Sequence, residues 1–194
     1  MKKFELTAEF VTNVFGKKLF RIKALVAFGN VEKGELGGFI EKEDNLSHDG
    51  DAWVCGDAQV CGDAQVCGDA RVCGNARVFG NAQVCGDARV SGNAQVYGNA
   101  QVFGNAQVFG NADYAVVAGF GRYFRTTTFF RCKDKILRVQ CGCFYGDLAQ
   151  FREIVKKTHG DSKYAKEYLA IADLMELHFS DKCGGEQMND GKIY

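Results

Sequence analysis

A six-residue repeat fills the middle of the chain and constrains its fold more than any other feature. Valine occupies every sixth position over 54–108, alanine over 52–112 and glycine over 50–110. Each unit therefore reads Val-x-Gly-Asp/Asn-Ala-Gln/Arg. A short fixed period of this kind is typical of solenoids, in which each unit packs only against its neighbours along one axis.

One unit shows why such a chain coils. In Ala58-Gln59-Val60-Cys61 the small or apolar residues alternate with polar ones, which predicts a short strand with Ala58 and Val60 facing inward. Glycine and the following Asp or Asn tolerate the backbone angles of a tight turn. So short a strand has to pair with its copy one coil further on, and three units per coil would stack rungs about 4.8 Å apart. The sequence predicts a mainly β protein built on a parallel β-helix.

The repeat over 36–113 resembles the hexapeptide-repeat family, whose members fold as left-handed parallel β-helices and include trimeric acyltransferases. The segment from Phe20-Arg-Ile-Lys-Ala-Leu25 to Trp53-Val54 resembles a subgroup assigned as transferases without an established activity. The tail motifs Arg125-Thr-Thr-Thr-Phe-Phe-Arg131, Cys141-Gly-Cys-Phe144 and Thr158-His-Gly160 are similar to uncharacterised proteins of bacteria and their phages. The first resemblance implies a left-handed solenoid and a homotrimer, whereas the last implies no activity.

Around the solenoid we expect two smaller units. Weaker hexads over 36–47 extend the repeat upstream in the same phase, and 114–119 is suited to a last rung. Asp147 can cap a helix that ends at Gly160, and a second helix is expected near 162–179. The expected parts are an N-terminal β cap (1–35), the β-helix (36–119), a small α+β domain with a hairpin at 122–130 and 136–144 and two helices (120–182), and a flexible tail (183–194).

Outward side chains one coil apart should stack in three columns, one on each face of the solenoid. Every column changes from cysteine to aromatic residues towards its C-terminal end. Aromatic side chains on all faces favour a cover, either neighbouring copies of the chain, the C-terminal segment, or both. The residues expected at a homotrimer interface are Phe79, Tyr97, Phe103 and Phe109.

Catalysis by the β-helix is disfavoured. Acyltransferases of the resembling family generally use a histidine as general base, and the regular hexads contain none. We interpret His48, which precedes them, as a structural residue of an irregular rung. No cofactor and no metal are expected, although a zinc site formed by Cys132, Cys141, Cys143 and Cys183 stays open as a lesser alternative.

The segment after the repeat is rich in cations and hydroxyl groups. Between Arg122 and Gln140 six cations accompany one acid, Asp134. Arginine and threonine suit phosphate oxygens, and aromatic rings suit a base or sugar face. Strand alternation separates Arg122 from Arg125, so a bulge or a turn at 119–121 must intervene if they converge. The candidate ligand-binding residues are Arg122, Arg125, Thr127, Phe129 as a stacking platform, Arg131 and His159; the alternative is a solvated basic strand facing the acidic corners of the repeat.

Composition restricts the setting. The chain balances 24 Lys and Arg against 24 Asp and Glu, which excludes nucleic-acid binding by bulk charge. No apolar run approaches the ~20 residues of a membrane span, and the N-terminus lacks the pattern of an export signal. The nine cysteines therefore indicate reduced thiols in a cytoplasmic protein, or in the host cytoplasm if the chain is phage-encoded. In-register rungs are also an awkward geometry for a disulfide between Cys55 and Cys73 or between Cys67 and Cys85.

Three functions remain open at this stage. The favoured hypothesis is a non-catalytic homotrimer that binds or sequesters a small anionic, nucleotide-like ligand at protomer boundaries, as a phage-type sponge against host defence would. The alternatives are an acyl-CoA-dependent acyltransferase and a purely structural assembly module.

Overall fold

A computed structural model describes residues 1–180 of the chain, so the expected flexible tail at 183–194 lies outside the described residues. Strands β1 (Phe4–Thr12) and β2 (Lys18–Ala24) form an antiparallel hairpin. Strand β2 then pairs with β3 (Leu36–Ile40), which is the first rung of the solenoid. The N-terminal β cap is therefore continuous with one face of the solenoid.

Ten two-residue strands make the rest of the solenoid. They are β4 (Trp53–Val54), β5 (Gln59–Val60), β6 (Gln65–Val66), β7 (Arg71–Val72), β8 (Arg77–Val78), β9 (Gln83–Val84), β10 (Arg89–Val90), β11 (Gln95–Val96), β12 (Gln101–Val102) and β13 (Gln107–Val108). They stack in parallel with every third strand as neighbour, in the orders β3-β5-β8-β11, β4-β7-β10-β13 and β6-β9-β12. The repeated alanine and valine side chains from Ala52 to Val108 are 0–1% exposed, which confirms the predicted parallel β-helix, and it has about four coils.

The first coil corrects the expected phase. Ile40 stacks under Val60 and Leu46 under Val66, so the upstream residues pair 20 positions apart and not 18. Leu46 and Val54, two successive inward residues, are eight apart where a regular unit spans six. The corner between them carries two extra residues, so the upstream hexads are real rungs but not in the phase of the repeat.

The other end of the solenoid also differs from expectation. Strand β14 (Tyr114–Phe120) is not a last rung, because it pairs antiparallel with β15 (Arg125–Arg131). Strands β16 (Leu137–Cys141) and β17 (Phe144–Asp147) complete a sheet in the order β14-β15-β16-β17. The expected hairpin thus belongs to a four-stranded sheet that begins inside the region assigned to the β-helix.

Two helices cover this C-terminal sheet. Helix α1 (Leu148–His159) starts where the Asp147 side chain accepts a hydrogen bond from the Gln150 N–H at 2.8 Å, as predicted. It ends at Gly160, whose φ of +55° lies in the region that favours glycine. Helix α2 (Lys163–Ser180) follows. One face of the sheet adds Phe130 and Cys132 to the solenoid core, and the opposite face packs Phe129 and Val139 against the helices.

Side-chain donors close the first end of the solenoid. In the regular coils, the carbonyls of each rung accept N–H bonds from the preceding coil, as Gly74 does from Asp57. The first coil has no complete predecessor. Lys3 Nζ instead donates to the Gly50 and Ala52 carbonyls at 3.1 and 2.9 Å, and Asn45 Nδ2 donates to the Gly62 and Ala64 carbonyls at 3.0 and 2.8 Å. Burial lowers the pKa of Lys3, against the opposing influence of Asp51.

Side-chain acceptors close the last coil. Its Gln95 N–H donates to Asn111 Oδ1, its Gln101 N–H to Thr128 Oγ1 and its Phe109 N–H to Asp113 Oδ2, at 2.8–3.0 Å. These oxygens occupy the places that carbonyls of a further coil would take. The polarity of a parallel solenoid thus explains why donors cap one end and acceptors the other.

We expect Asn45→Ala to lower the free energy of unfolding by about 2 kcal/mol or more, because two buried carbonyls lose their donor. The matched control is Asn81→Ala, since Asn81 is exposed and its side chain donates only to Asn99 on the next corner. Urea unfolding of both variants measures the difference. Equal losses in the two variants would contradict the capping role of Asn45.

Candidate functional site

The C-terminal domain contains a cavity of about 230 Å³ that gathers several of the candidate ligand-binding residues. We call it the arginine pocket. Its lining residues are Arg122, Tyr123, Arg125, Cys141, Cys143, Phe144, Phe151, Ile154, Val155, Thr158, His159 and Tyr168. They come from the turn between β14 and β15, from the β16–β17 hairpin and from both helices. All belong to one chain, so the pocket needs no protomer boundary.

A turn brings the two arginines together. Gly121 and Phe124 have φ angles of +73° and +52°, and the pairing of β14 with β15 is irregular between Val117 and Phe120. This turn reverses the chain between Arg122 and Arg125. Their guanidinium carbons lie 5.6 and 5.1 Å from the centre of the Tyr123 ring. Such contacts are attractive because the ring face is negative.

Two glycines make room for the pocket's polar side chains. A Cβ atom on Gly142 would lie 2.5 Å from Nη1 of Arg125, so the guanidinium lies directly against the backbone of the β16–β17 turn. A Cβ on Gly121 would collide with the Tyr168 hydroxyl. Both glycines have positive φ angles. These positions therefore fix where the arginine and the tyrosine can lie.

Tyr168 closes the inner end of the pocket. It is 6% exposed, and burial followed by the neighbouring Cys141 raises its pKa to about 12. Cys141 Sγ accepts a hydrogen bond from Thr127 Oγ1 at 3.2 Å. The His159 ring stacks on Tyr168 with centroids 5.8 Å apart. Rings and neutral hydroxyls thus form the floor beneath the two cations.

No acidic side chain lines the arginine pocket. Within residues 1–180, neither Arg122 nor Arg125 forms an ion pair with a carboxylate. The neighbouring carboxylate of Glu167 is engaged elsewhere, because it accepts the Gly121 N–H at 2.8 Å. The lining of the pocket therefore carries two guanidinium groups and no carboxylate beside its aromatic surface.

Three of the six candidate residues lie outside the pocket. Phe129 is fully buried against Phe151, so it cannot serve as a stacking platform for a ligand. Thr127 is 2% exposed and donates to Cys141. Arg131 Nη2 donates to the Phe179 carbonyl at 2.8 Å, on another part of the domain. Arg122, Arg125 and His159 are the candidates that the structure brings together.

The aromatic columns are partly covered by the chain itself. Phe79 packs against Phe15 of the N-terminal hairpin and stacks on Tyr97, with centroids 6.2 and 5.4 Å apart. Phe103 is half-buried, next to the corner at Gly104 where Tyr145 of the C-terminal sheet packs. Tyr97 and Phe109 are both 54% exposed. Of the four residues expected at the interface, these two are exposed enough to contact another protomer.

The structure corrects the expected state of four cysteines. Cys55 and Cys73 form one disulfide and Cys67 and Cys85 another, each joining adjacent coils. Their Cα atoms are 4.6 and 4.7 Å apart, which falls within the range that disulfides span. The expectation of reduced thiols at these positions was wrong, because rungs stacked in register already meet the distance requirement.

The remaining thiols do not assemble the alternative zinc site. Cys132 packs in the solenoid core and Cys141 beside the helical core, on opposite faces of the C-terminal sheet. Cys183 lies outside the described residues. Among residues 1–180, no group of three or more His, Cys, Asp or Glu side chains is placed to hold a metal ion.

His48 occupies a structural position. Its ring stacks on Phe4 at 4.3 Å, its Nδ1 accepts the Lys3 N–H at 3.2 Å, and its Nε2 lies 3.7 Å from Glu43. Nδ1 therefore faces the N-terminal cap, and Nε2 faces Glu43 of the first coil.

As far as residue 180, the chain has no helix long and apolar enough to cross a membrane.

Sequence reasoning missed Phe144, Phe151, Tyr168 and Gly142 as parts of the site. Phe151 and Tyr168 follow helical spacing and looked like core residues, and both are indeed almost buried. Nothing in the sequence shows that their edges border a cavity. The one local signal was Cys141-Gly-Cys143, since a glycine between two strands predicts a turn.

Comparison with known proteins supports the solenoid. Residues 70–82, 82–98 and 94–110 match the sequence profile of the YdcK beta solenoid repeat. No curated protein sequence matches the chain significantly. The chain is therefore a repeat β-solenoid protein, and the matched residues all lie outside the C-terminal domain that holds the arginine pocket.

Proposed function

We propose that the protein binds a small anionic, nucleotide-like ligand in the arginine pocket without transforming it. One observation carries the proposal: two guanidinium groups without carboxylate partners among residues 1–180 face a cavity lined by aromatic rings and by no acid. Guanidinium forks suit phosphate oxygens, and ring faces suit a base. Sequestration of such a ligand, as by a phage-type sponge, is the role we infer.

The size of the pocket limits the ligand. Small-molecule sites commonly measure about 300–1,000 Å³, and this cavity of about 230 Å³ is smaller. A mononucleotide or a similar phosphorylated ring compound would fill it, with part of the molecule in solvent. The half-buried Phe144 lines the apolar side and would contact the ring, while Arg122 and Arg125 would neutralise the anionic group.

A binding role fits the described side chains better than acyl transfer does. His48, the histidine nearest to the repeat, is held by the cap. Its ring stacks on Phe4, and His48 also lines a surface cavity together with Gln65 and Cys67 of the next coil. We therefore treat acyl-CoA turnover as the alternative that a substrate screen would have to demonstrate.

Titration calorimetry with mono-, di- and cyclic nucleotides tests the proposal on the wild-type protein. We expect at least one mononucleotide to bind, in an amount that scales with the protein concentration. We expect the corresponding nucleoside to bind far more weakly, because it lacks the phosphate. Absence of binding for every member of the panel would leave the structural assembly module as the better hypothesis.

We further propose a homotrimer in which the exposed aromatic residues Tyr97 and Phe109 meet neighbouring protomers. Tyr97→Glu would then place a charge in an apolar contact and dissociate the trimer, whereas Leu177→Glu, at an exposed position of helix α2, would leave it intact. Light scattering at micromolar concentration measures the mass. A wild-type monomer would contradict the proposal.

The remaining assignments are also proposals. We propose that the solenoid is left-handed and belongs with the hexapeptide-repeat proteins, and that the C-terminal domain belongs with the similar proteins of bacteria and phages. A cytoplasmic location is proposed as well. Disulfides are rare in a reducing cytoplasm. Rapid thiol alkylation in cells followed by mass analysis would therefore contradict that location if Cys55, Cys67, Cys73 and Cys85 are all found paired.

A further inference from the structure

Strand β14 leaves one of its backbone edges unpaired. It lies at the end of the C-terminal sheet, where it pairs with β15 on one side and with no strand of residues 1–180 on the other. Backbone N–H and C=O groups on such an edge are a template for a further strand. The chemistry of an open edge therefore specifies the kind of partner: another extended backbone.

The composition of β14 lacks the features that keep strand edges apart. Its sequence, Tyr-Ala-Val-Val-Ala-Gly-Phe, contains no charge and no proline. Val116 and Phe120 are 38% and 44% exposed. The pairing of β14 with β15 is regular from Tyr114 to Val117 and becomes irregular before Phe120. Four residues at the start of the strand thus present a regular, neutral and partly apolar edge.

Two other outer strands, β1 of the N-terminal hairpin and β17 of the C-terminal sheet, are protected. Strand β1 carries Glu5 and Glu9, and its pairing shifts register between Leu6 and Phe10. Charges and bulges of this kind discourage edge-to-edge pairing. Strand β17 has four residues, ends at Asp147 and passes directly into helix α1. This contrast within one chain indicates that the open edge of β14 pairs with a further strand.

A neutral groove of about 430 Å³ runs beside β14. Its lining residues are Tyr97, Gly98, Asn99, Asn111, Tyr114, Ala115, Val116, Ala118 and Thr126. No charged side chain is among them, so a charged peptide would lose solvation on entering without gaining an ion pair. The groove and the edge together favour an uncharged strand with small apolar side chains, which is the composition of β14 itself.

We propose that a second copy of the chain pairs its β14 antiparallel with this β14, about a two-fold axis between Ala115 and Val116. Such an interface is self-complementary, because each copy supplies the same neutral edge and the same groove. The two C-terminal sheets then form one continuous sheet of eight strands. This inference does not rest on ligand binding. Its groove shares Tyr97 with the proposed trimer interface, whereas Phe109 lies outside the groove.

Native mass spectrometry over a wide range of protein concentration tests the pairing. We expect two copies, or six if the solenoid trimer also forms. Val116→Lys places like charges near the two-fold axis and is expected to weaken the pairing about tenfold or more, giving one or three copies. Leu177→Lys, at a position 67% exposed on helix α2, is the matched control and should change nothing. A wild-type monomer or trimer would overturn the proposal.

Amide hydrogen exchange gives a second measurement that needs no variant. In the paired state, alternate amides of residues 114–117 donate across the new interface and exchange slowly. Dilution should release that protection selectively, while the amides of β15, which are bonded inside the sheet, keep theirs. Fast exchange at 114–117 in the concentrated protein would overturn the proposal, whatever the fate of the Val116 variant.

Discussion

We expect reduction of the two disulfides to lower the midpoint of thermal unfolding by about 6 °C or more. Each disulfide closes a loop with a sequence separation of 18 residues, and loop closure of this size stabilises the folded state by about 3 kcal/mol. In a chain of this length, 1 kcal/mol corresponds to about 2–4 °C. The loops 55–73 and 67–85 overlap, so we expect losing both to cost less than twice the loss of one.

The effect is separable from reduction of other thiols. Cys55→Ser and Cys67→Ser each remove one disulfide, and Cys143→Ser removes an exposed free thiol as the matched control. A phosphine reductant should lower the midpoint of thermal unfolding equally in wild type and in the control, as measured by differential scanning calorimetry. In Cys55→Ser and in Cys67→Ser the reductant should lower the midpoint by less than in wild type, because each variant has only one of the two disulfides left to lose. An unchanged wild-type midpoint under reducing conditions would show that the disulfides do not stabilise the solenoid.

The solenoid was predictable because each six-residue unit places the same residue types in the same structural positions. Alanine and valine at fixed phase fill a narrow interior, and glycine at each corner accepts a positive φ angle such as +65° at Gly56. Gly74 occupies the same corner one coil further on. A Cβ atom built on Gly56 would lie 3.3 Å from the backbone nitrogen of Gly74. A side chain at that corner would need both an unfavourable angle and space that the next coil occupies.

The ends of the solenoid were less predictable because no repeat governs them. The two extra residues between Leu46 and Val54 change the phase without changing the composition. Residues 114–119 alternate like a rung, but Tyr114 instead donates a hydrogen bond to the Gln95 carbonyl and the chain turns into a sheet. Lys3 and Asn45 act as caps only because their position in space replaces a missing coil.

The site was half predictable for a similar reason. Composition identified the basic segment, and the requirement for a turn between Arg122 and Arg125 followed from strand alternation. Strand alternation places Arg125, Thr127, Phe129 and Arg131 on one face of a strand, but β15 lies inside the sheet and residues 127–130 are buried. Burial on both faces depends on the helices and the solenoid, which parity within one strand cannot show.

The prediction on which the functional proposal depends is that Arg125→Ala weakens nucleotide binding about ten- to a hundredfold. A charge-assisted hydrogen bond contributes roughly 1.5–3 kcal/mol, which corresponds to that range of dissociation constants. Among residues 1–180 Arg125 has no ion-pair partner, and its side chain is exposed at the pocket, so we expect the fold not to depend on its charge. Arg125→Lys should restore only part of the affinity, because lysine lacks the planar fork.

Two further variants make this result specific. Arg89→Ala removes an exposed arginine of the solenoid and is expected to leave binding unchanged, which excludes a general effect of net charge. Gly142→Ala keeps every charge but places a methyl group 2.5 Å from Nη1 of Arg125, so it should displace the guanidinium and weaken binding as well. Calorimetry with the tightest nucleotide of the panel, at matched thermal stability, measures all four variants. Equal affinity of Arg125→Ala and wild type would contradict the assignment of the anion site to the arginine pocket.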